Sequence, residues 1–390
     1  MGVANPFHPH PRKQPPSNTA TTSTSGGAPA AADERVRQES WFRHLLNRPE
    51  FAALAGTVMV FLVFGIAAGN SGMFNLDGVM NWSQVAAYLG LISVGACLLM
   101  IAGEFDLSIG SMIGFSGMMV ALPTMYFHWP IALSIVFAFA GSMLLGALNG
   151  YLVMRTRLPS FIVTLAFLFI LRGLTLALSV MFADRTIISG VGDVAAHDWL
   201  AHTLFQGVAF KGLFTWLGHI GVVKLLDNGN PLVPGIPKVL LWWFALAAVC
   251  AFTLAKTRFG NWIFAVGGDA NAAKNVGVPV RRVKISLFVL TAFLCVPVRC
   301  AASVRHRLRA AVAAWREFEA IIAAVIGGTL LTGGYGSVIG ACFGALIFGV
   351  VQIGITYTNV DSDWFRVFLG VMLLIAVLFN HYVRRRVAQS

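Results

Sequence analysis

The sequence predicts an all-α polytopic membrane protein of about ten transmembrane helices, some of them broken, and three observations carry that prediction. Of its 390 residues, 57% are hydrophobic and only 11% charged, with a mean hydropathy of +0.76. Soluble domains carry roughly a quarter charged residues, so composition excludes a soluble enzyme. The apolar residues fall in runs of roughly 18 to 25, each long enough to cross a hydrocarbon core of about 30 Å as a helix. Lys and Arg gather beside the ends of those runs.

Residues 1–50, rich in Pro, Ser, Thr, Gly and Ala, read as a disordered tail with no secretory signal. Its His8 and His10 are incidental rather than a metal site on that composition. Candidate spans are 51–70, 85–103, 107–127, 130–154, 161–183, 239–256, 285–300, 318–331, 338–357 and 364–383. With that count, Arg35, Arg37, Arg43 and Arg48, then Arg155 and Arg157, Lys256 and Arg258, the cluster from Lys274 to Lys284, and Arg384 to Arg386 all fall on one side. Positive charge favours the cytoplasm, so both termini, including the basic tail 384–390, are expected there. The net charge of +12 is thereby read as orientation rather than nucleic-acid binding.

An insert, 184–238, is expected on the outer side. Its segment 199–226 carries Trp199, Phe205, Phe210, Phe214 and Trp216, broken by Lys211, and suits a helix lying on the lipid surface or simple hydrophobic cover. Gly146 with Gly150, and Gly336, Gly340 and Gly344, recur at four-residue spacing and predict close helix packing. The five cysteines show neither C-x-x-C nor Cys/His ligand spacing and read as buried thiols.

Polar residues interrupting apolar runs are the candidate functional positions. Glu104, Asp106, Ser108 and Ser111 sit together between two spans; they suit either a broken helix facing a pathway or a cap, with Asp106 or Ser108 as N-cap. Pro159 and Ser160 open the next span, and Arg172, deep within it, calls for a carboxylate or carbonyl partner. The connection 257–284 is longer than a bundle needs. Within it Gly268 and Asp269 can cap a short helix over 270–276 that Gly277 ends, presenting a rigid element to a partner. Gly267-Gly268 is not a dinucleotide fingerprint, and no phosphate-binding G-x-x-x-x-G-K-[ST] occurs, so the chain is not expected to hydrolyse ATP.

Four segments carry a resemblance: Gly103 to Ser111; Leu158 to Leu165; Ala265 to Gly268 through Ala272, Ala273, Lys274, Gly277 and Arg281 to Lys284; and Ile326 to Thr329 with Gly333 to Gly340. In order and spacing they resemble the permeases of bacterial ABC importers for monosaccharides, similar to ribose and xylose permeases, over about residues 82–382. The resemblance implies a permease domain over 51–383 in the inner membrane. It also implies a homodimer embedded in lipid, seated on cytoplasmic ATPase subunits that hold ATP and Mg, and served by a periplasmic sugar-binding protein. No cofactor binds the chain itself.

On that resemblance 257–284 is the coupling loop. Gly267, Gly268, Asp269, Ala270, Asn271, Ala272, Ala273, Lys274, Gly277, Arg281 and Arg282 form the ATPase-coupling set, with Asn271 where the family usually has Glu. Glu104, Asp106, Ser108, Asn149, Ser160 and Thr164 are the polar candidates for the sugar's pathway, bundle-stabilising hydrogen bonds being the other reading. Pro297 to Arg316, with Arg299, Arg305, His306, Arg307, Arg309 and Arg316, departs from the family pattern while preserving length. Such a pattern fits two compensating frameshifts or true divergence toward an acidic partner. The expected activity is inward movement of a pentose-like monosaccharide without covalent chemistry. A branched-chain amino acid ABC permease, an ion-coupled secondary transporter and a membrane enzyme or scaffold are the alternatives.

Overall fold

The computed structural model describes residues 49–388 except 189, 206, 228, 304–307, 310–315, 359 and 362. The N-terminal tail up to residue 48, with its histidines and arginines, lies outside the described residues, as do Arg305, His306 and Arg307.

The helices in chain order are α1 (Pro49–Ala68), α2 (Leu76–Ile101), α3 (Ile109–Tyr126), α4 (Ile131–Thr156), α5 (Ser160–Ala183), then short α6 (Val191–His197), α7 (Trp199–Leu204) and α8 (Lys211–His219). They continue with α9 (Lys238–Lys256), α10 (Arg258–Gly268), α11 (Ala270–Asn275), α12 (Val280–Ser303), α13 (Arg316–Ile326), α14 (Val338–Tyr357) and α15 (Trp364–Ala388). Every expected span contains a helix, and among the described residues eight helices are long and apolar enough to cross a membrane. The other two are α13, which stops after 11 residues at Gly327-Gly328, and α15, whose apolar stretch is Trp364–Ile375. Gly328 takes φ +88, a left-handed conformation that ends a helix at little steric cost.

Burial divides the spans. In α2, 83% of the apolar window is buried, against 17% in α1 and 33% in α4 and α5. The central α2 is enclosed by α9, α12, α13 and α14, while α1, α4, α5 and α9 turn apolar faces outward. Such all-round hydrophobicity suits helices packed by van der Waals contact in a medium as apolar as their own side chains. α2 also begins nine residues before the expected span. Gly78 packs on the Gly72 and Met73 carbonyls, and Trp82 is buried edge-on to Phe61 at 5.4 Å, which carries the helix through its polar first turns.

The predicted small-residue contacts form. A Cβ at Gly146 would stand 2.7 Å from Ala292 Cβ, and one at Gly150 2.9 Å from Ile285 Cα, so α4 lies directly on α12. Gly340 and Gly344 meet the carbonyls of Gly327 and Ala323 in the same way, seating α14 on α13. Gly336 falls in the turn before α14, at φ +159. All five cysteines are free; Cys97, Cys250, Cys295 and Cys300 are buried and Cys342 half-buried.

Two ends of the bundle differ. One gathers the turns carrying Arg155, Arg157, Lys256, Arg258, Lys274, Arg281 and Arg282, and is termed the basic end. The other carries the 184–238 insert. Here the surface helix expected over 199–226 is divided: Phe210, at φ 62, breaks the chain between strand β2 (Val208–Ala209) and α8. β2 pairs antiparallel with β3 (Ile236–Pro237), and β1 (Ile187–Ile188) with β4 (Leu308–Arg309). Side chains and backbone tie the insert to the head of α9, Lys238 N–H donating to Gly207 O (3.4 Å). Lys238 Nζ donates to His202 O (2.6 Å), Trp242 Nε1 donates to Leu204 O (2.9 Å), and Phe205 stacks on Trp242 at 5.4 Å.

One expectation, a partner for Arg172, is not met among the described residues. Arg172 is half-buried and has no hydrogen bond or ion pair among the described residues. It lies one step around α5 from the buried stripe of Thr164, Leu168, Leu171 and Thr175, at the rim of that buried face. In the divergent stretch, α12 stays helical through Pro297 to Ser303. Arg299 is buried against α3, where a Cβ at Gly117 would stand 2.1 Å from its Nε.

Candidate functional site

Three chain turns meet at the basic end: 102–108 between α2 and α3, 266–269 between α10 and α11, and 327–337 between α13 and α14. Each is shaped by glycine. Gly103 (φ +80), Gly333 (φ +81) and Gly334 (φ +75) hold left-handed conformations that other residues adopt at a cost. Gly334 N–H donates to Ile101 O, the last carbonyl of α2, at 2.8 Å. A Cβ on Gly267 would sit 1.7 Å from that same oxygen and 2.6 Å from Gly334 N. Backbone therefore lies on backbone, with no room for a side chain.

The 102–108 turn brings together all six polar candidates. Phe105 N–H donates to Ser160 Oγ (3.0 Å) and Leu107 N–H to Thr164 Oγ1 (3.1 Å), so two hydroxyls on the first turns of α5 satisfy the backbone of the broken segment. Ser108 donates through both N–H (2.8 Å) and Oγ (2.6 Å) to Asp106 Oδ1, and Asn149 Nδ2 donates to Ser108 Oγ (3.0 Å). Ser108 occupies the N-cap position of α3 without a side-chain cap bond. Ser108 is thus the N-cap residue, as one of the two expected, but its hydroxyl is engaged by Asp106 and Asn149 instead of by an N–H of α3. Ser111 is buried in the first turn of α3. Burial pushes the Asp106 carboxyl up to about 6, although the two bonds from Ser108 pull it down.

Glu104 forms an ion pair with Lys284 on α12, both side chains being nearly buried. Removing either partner would strand the other charge in a poor solvent for it. Glu50, at the start of α1, accepts from Ser337 Oγ (2.8 Å), the residue that caps α14. Tyr335 beside it has its hydroxyl pKa raised, first by burial and then by the Glu50 charge.

The second cluster is the 257–284 connection. Thr257 caps α10 by accepting from Gly260 N–H. Asp269 caps α11, accepting from Asn271 N–H (2.8 Å) and Ala272 N–H (3.0 Å). Gly277, at φ +87, ends it with a bond to Lys274 O. The short helix expected over 270–276 is thus present, one residue shorter. Ala270 is half-buried, whereas Gly268, Asp269, Asn271, Ala272, Lys274, Val276 and Gly277 are exposed, Val276 at 80%. Ala273 faces inward, 4% exposed within the main core, so it anchors the helix rather than presenting it. Arg281 and Arg282 are exposed, Arg281 lying over the Tyr151 ring at 5.2 Å.

Sequence reasoning left Lys284, Gly103, Gly333 and Gly334 out of the candidate sites. The glycines stood in the segments that carried the resemblance, and their clustering was the available signal. Nothing in a single sequence pairs Lys284 with Glu104, 180 positions away.

A family profile described as branched-chain amino acid transport system / permease component matches residues 78–377. The chain is 29% identical to the xylose transport system permease protein of Escherichia coli K12, over 87% of this chain and 94% of the relative. It is 29% identical to the fructose import permease protein of Rhizobium meliloti, over 94% of each. An inner membrane ABC transporter permease protein of Escherichia coli K12 is 30% identical over 75% of this chain and 80% of the relative. No solved structure matches the chain. With a profile that spans the turns at 102–108, 266–269 and 327–337 and relatives that align over three quarters or more of the chain, this chain belongs to the ABC transport-system permease family described by that profile.

Proposed function

We propose that this chain is the membrane permease of an ATP-driven importer that moves a pentose-like monosaccharide inward, with α11 as its docking element for a partner ATPase. The observation that carries this reading is the short, doubly capped, solvent-facing α11, fixed to the bundle core through Ala273 and the Gly267 contact. A helix so held moves only if the bundle moves with it. Sugar rather than branched-chain amino acid is favoured by the names of the relatives, which import xylose and fructose. ATP and Mg belong on the partner subunit, and a periplasmic binding protein delivers the sugar to a dimer of permeases in the inner membrane. The basic end, with both termini, faces the cytoplasm.

The exposed members of the coupling set, Gly268, Asp269, Asn271, Ala272, Lys274, Gly277, Arg281 and Arg282, form the docking surface together with Val276; Gly267, Ala270 and Ala273 shape its base. For Glu104, Asp106, Ser108, Asn149, Ser160 and Thr164, the hydrogen bonds described above favour holding the broken segment over contacting the sugar. Asn149 Oδ1 alone of the group is buried without a hydrogen-bond partner, which keeps Asn149 the best pathway candidate.

Affinity recovery of tagged chain from gently solubilised membranes tests the reading. An ATPase should accompany the wild type and be lost with Val276→Asp, which puts a charge on the exposed face without touching the core. Uptake that survives ATP depletion but stops with an uncoupler would defeat the proposal in favour of secondary transport.

A further inference from the structure

We infer that the Glu104–Lys284 ion pair, with the glycine contact at Gly267, is the linkage that passes displacement of α11 to the α2–α3 turn, making Glu104 and Lys284 positioning residues for transport. The inference rests on the proposed docking role of α11 and adds how the motion would leave it.

The geometry offers two parallel routes from one origin. Upstream of α11, Asp269 caps the helix and is joined within two residues to Gly267, whose backbone presses on Ile101 O and Gly334 N. Gly333 closes the same contact, a Cβ there standing 2.8 Å from Gly267 O and 3.0 Å from Gly103 Cα. Downstream of α11, α12 begins at Val280, and Lys284 one turn later reaches across to Glu104. Both routes therefore end on the same turn, at residues 101–104, by unrelated chemistry.

From that turn the path is already fixed. Phe105 and Leu107 are bonded to Ser160 and Thr164 on α5, and Ser108 to Asn149 on α4. A shift of residues 102–108 must drag the ends of α2, α3, α4 and α5 together or break these buried and part-buried hydrogen bonds, leaving their donors without partners. Packed, fully bonded elements of this sort switch between discrete arrangements rather than deforming smoothly. The ion pair adds what the glycine contact lacks: steric contact resists only a push, whereas opposite charges also resist separation. Transport needs both strokes, since α11 must return the bundle to its starting state after each cycle.

The test uses the complete chain reconstituted in vesicles with its partner ATPase and binding protein. The variants are Glu104→Gln, Lys284→Met, Glu104→Lys, Lys284→Glu and the charge-reversed double Glu104→Lys/Lys284→Glu. Three quantities are read: chain in the membrane, ATPase recovered with it, and sugar moved per ATP hydrolysed. The expected result is that single variants keep the ATPase but lose about tenfold in sugar moved per ATP, within the range of usual coupling energies. The reversed pair should recover to within about twofold of wild type. A merely structural pair would lower chain amount and ATPase recovery together and leave the ratio of transport to hydrolysis unchanged, overturning the inference. Unchanged ratios in Glu104→Gln and Lys284→Met would also overturn it, as would failure of the reversed pair to restore the ratio while both its ATPase and its membrane level remain normal. Wild type that recovers no ATPase would instead defeat the docking role of α11, and this inference with it.

Discussion

The two ends of the bundle solve the problem of leaving the membrane by different emphases. At the basic end the turns cross where no side chain fits, Gly267 on Ile101 O, Gly333 on Gly103 and Gly334 bonded to Ile101, and side-chain bonds from Ser160, Thr164 and Lys284 are added to that backbone joint. At the opposite end, apart from two short two-residue strand pairings, the insert is held by side chains, Lys238 and Trp242 reaching carbonyls of α7 and Phe205 stacking on Trp242. Trp199, Phe210, Leu213 and Trp216 remain largely exposed there. Backbone contact leaves a turn few alternative positions, whereas side-chain anchors can swing through rotamers. The first end is thus built to move only as a unit, and the second tolerates local motion.

That contrast is most sharply broken at Gly267. A methyl there cannot be placed without displacing α2 or the 327–337 turn, and Gly267→Ala should cost about 3 kcal/mol, read as a lowered unfolding midpoint in detergent. Its neighbour supplies the control, because a Cβ on Gly268 meets nothing within 4 Å. A loss in Gly268→Ala approaching that of Gly267→Ala would remove the steric account. Next in size is Trp242→Ala, which deletes a ring stack and a hydrogen bond at the other end and should cost about 2 kcal/mol. Limited proteolysis should then cut within the insert while the span core stays intact; global unfolding instead would mean that this end is no looser than the other.

The Asp106 carboxyl sharpens the comparison through pH. Its value in the folded chain, about 6, lies above the ordinary 3.8, so the folded state binds the proton more tightly than the unfolded state. Stability from this group is therefore greatest below 3.8 and falls as pH rises through about 6. Asp106→Asn should flatten that part of the midpoint-against-pH curve; an unaltered slope would assign it to other groups. The smallest effect is expected for Trp216→Ser on the exposed face of α8, within about 0.5 kcal/mol in detergent.

How much of this was legible depended on range. Runs of twenty apolar residues announce spans one by one, and Asp269 with Gly277 announced α11 by local capping chemistry alone. Spacing of glycines announced the α4–α12 and α13–α14 contacts without saying which helices would meet. The polar turn at 102–108 was visible as an anomaly, but its role lay in partners more than 40 positions away, Asn149, Ser160 and Thr164, which no local pattern indicates. The inward face of Ala273 was not legible because a six-residue helix is too short to show a periodicity that distinguishes its inner face from its outer. The division of 199–226 was hidden because Phe210 holds a left-handed conformation usually left to glycine.

The joint at Gly267 has a thermal consequence. A contact made of side chains softens with warming as more rotamers become populated, but a glycine backbone has none to populate. The cost is met once, when the chain folds, as the larger entropy that glycine surrenders. Afterwards a displacement entering this joint leaves it undiminished, and the stroke delivered to the bundle should vary little with temperature.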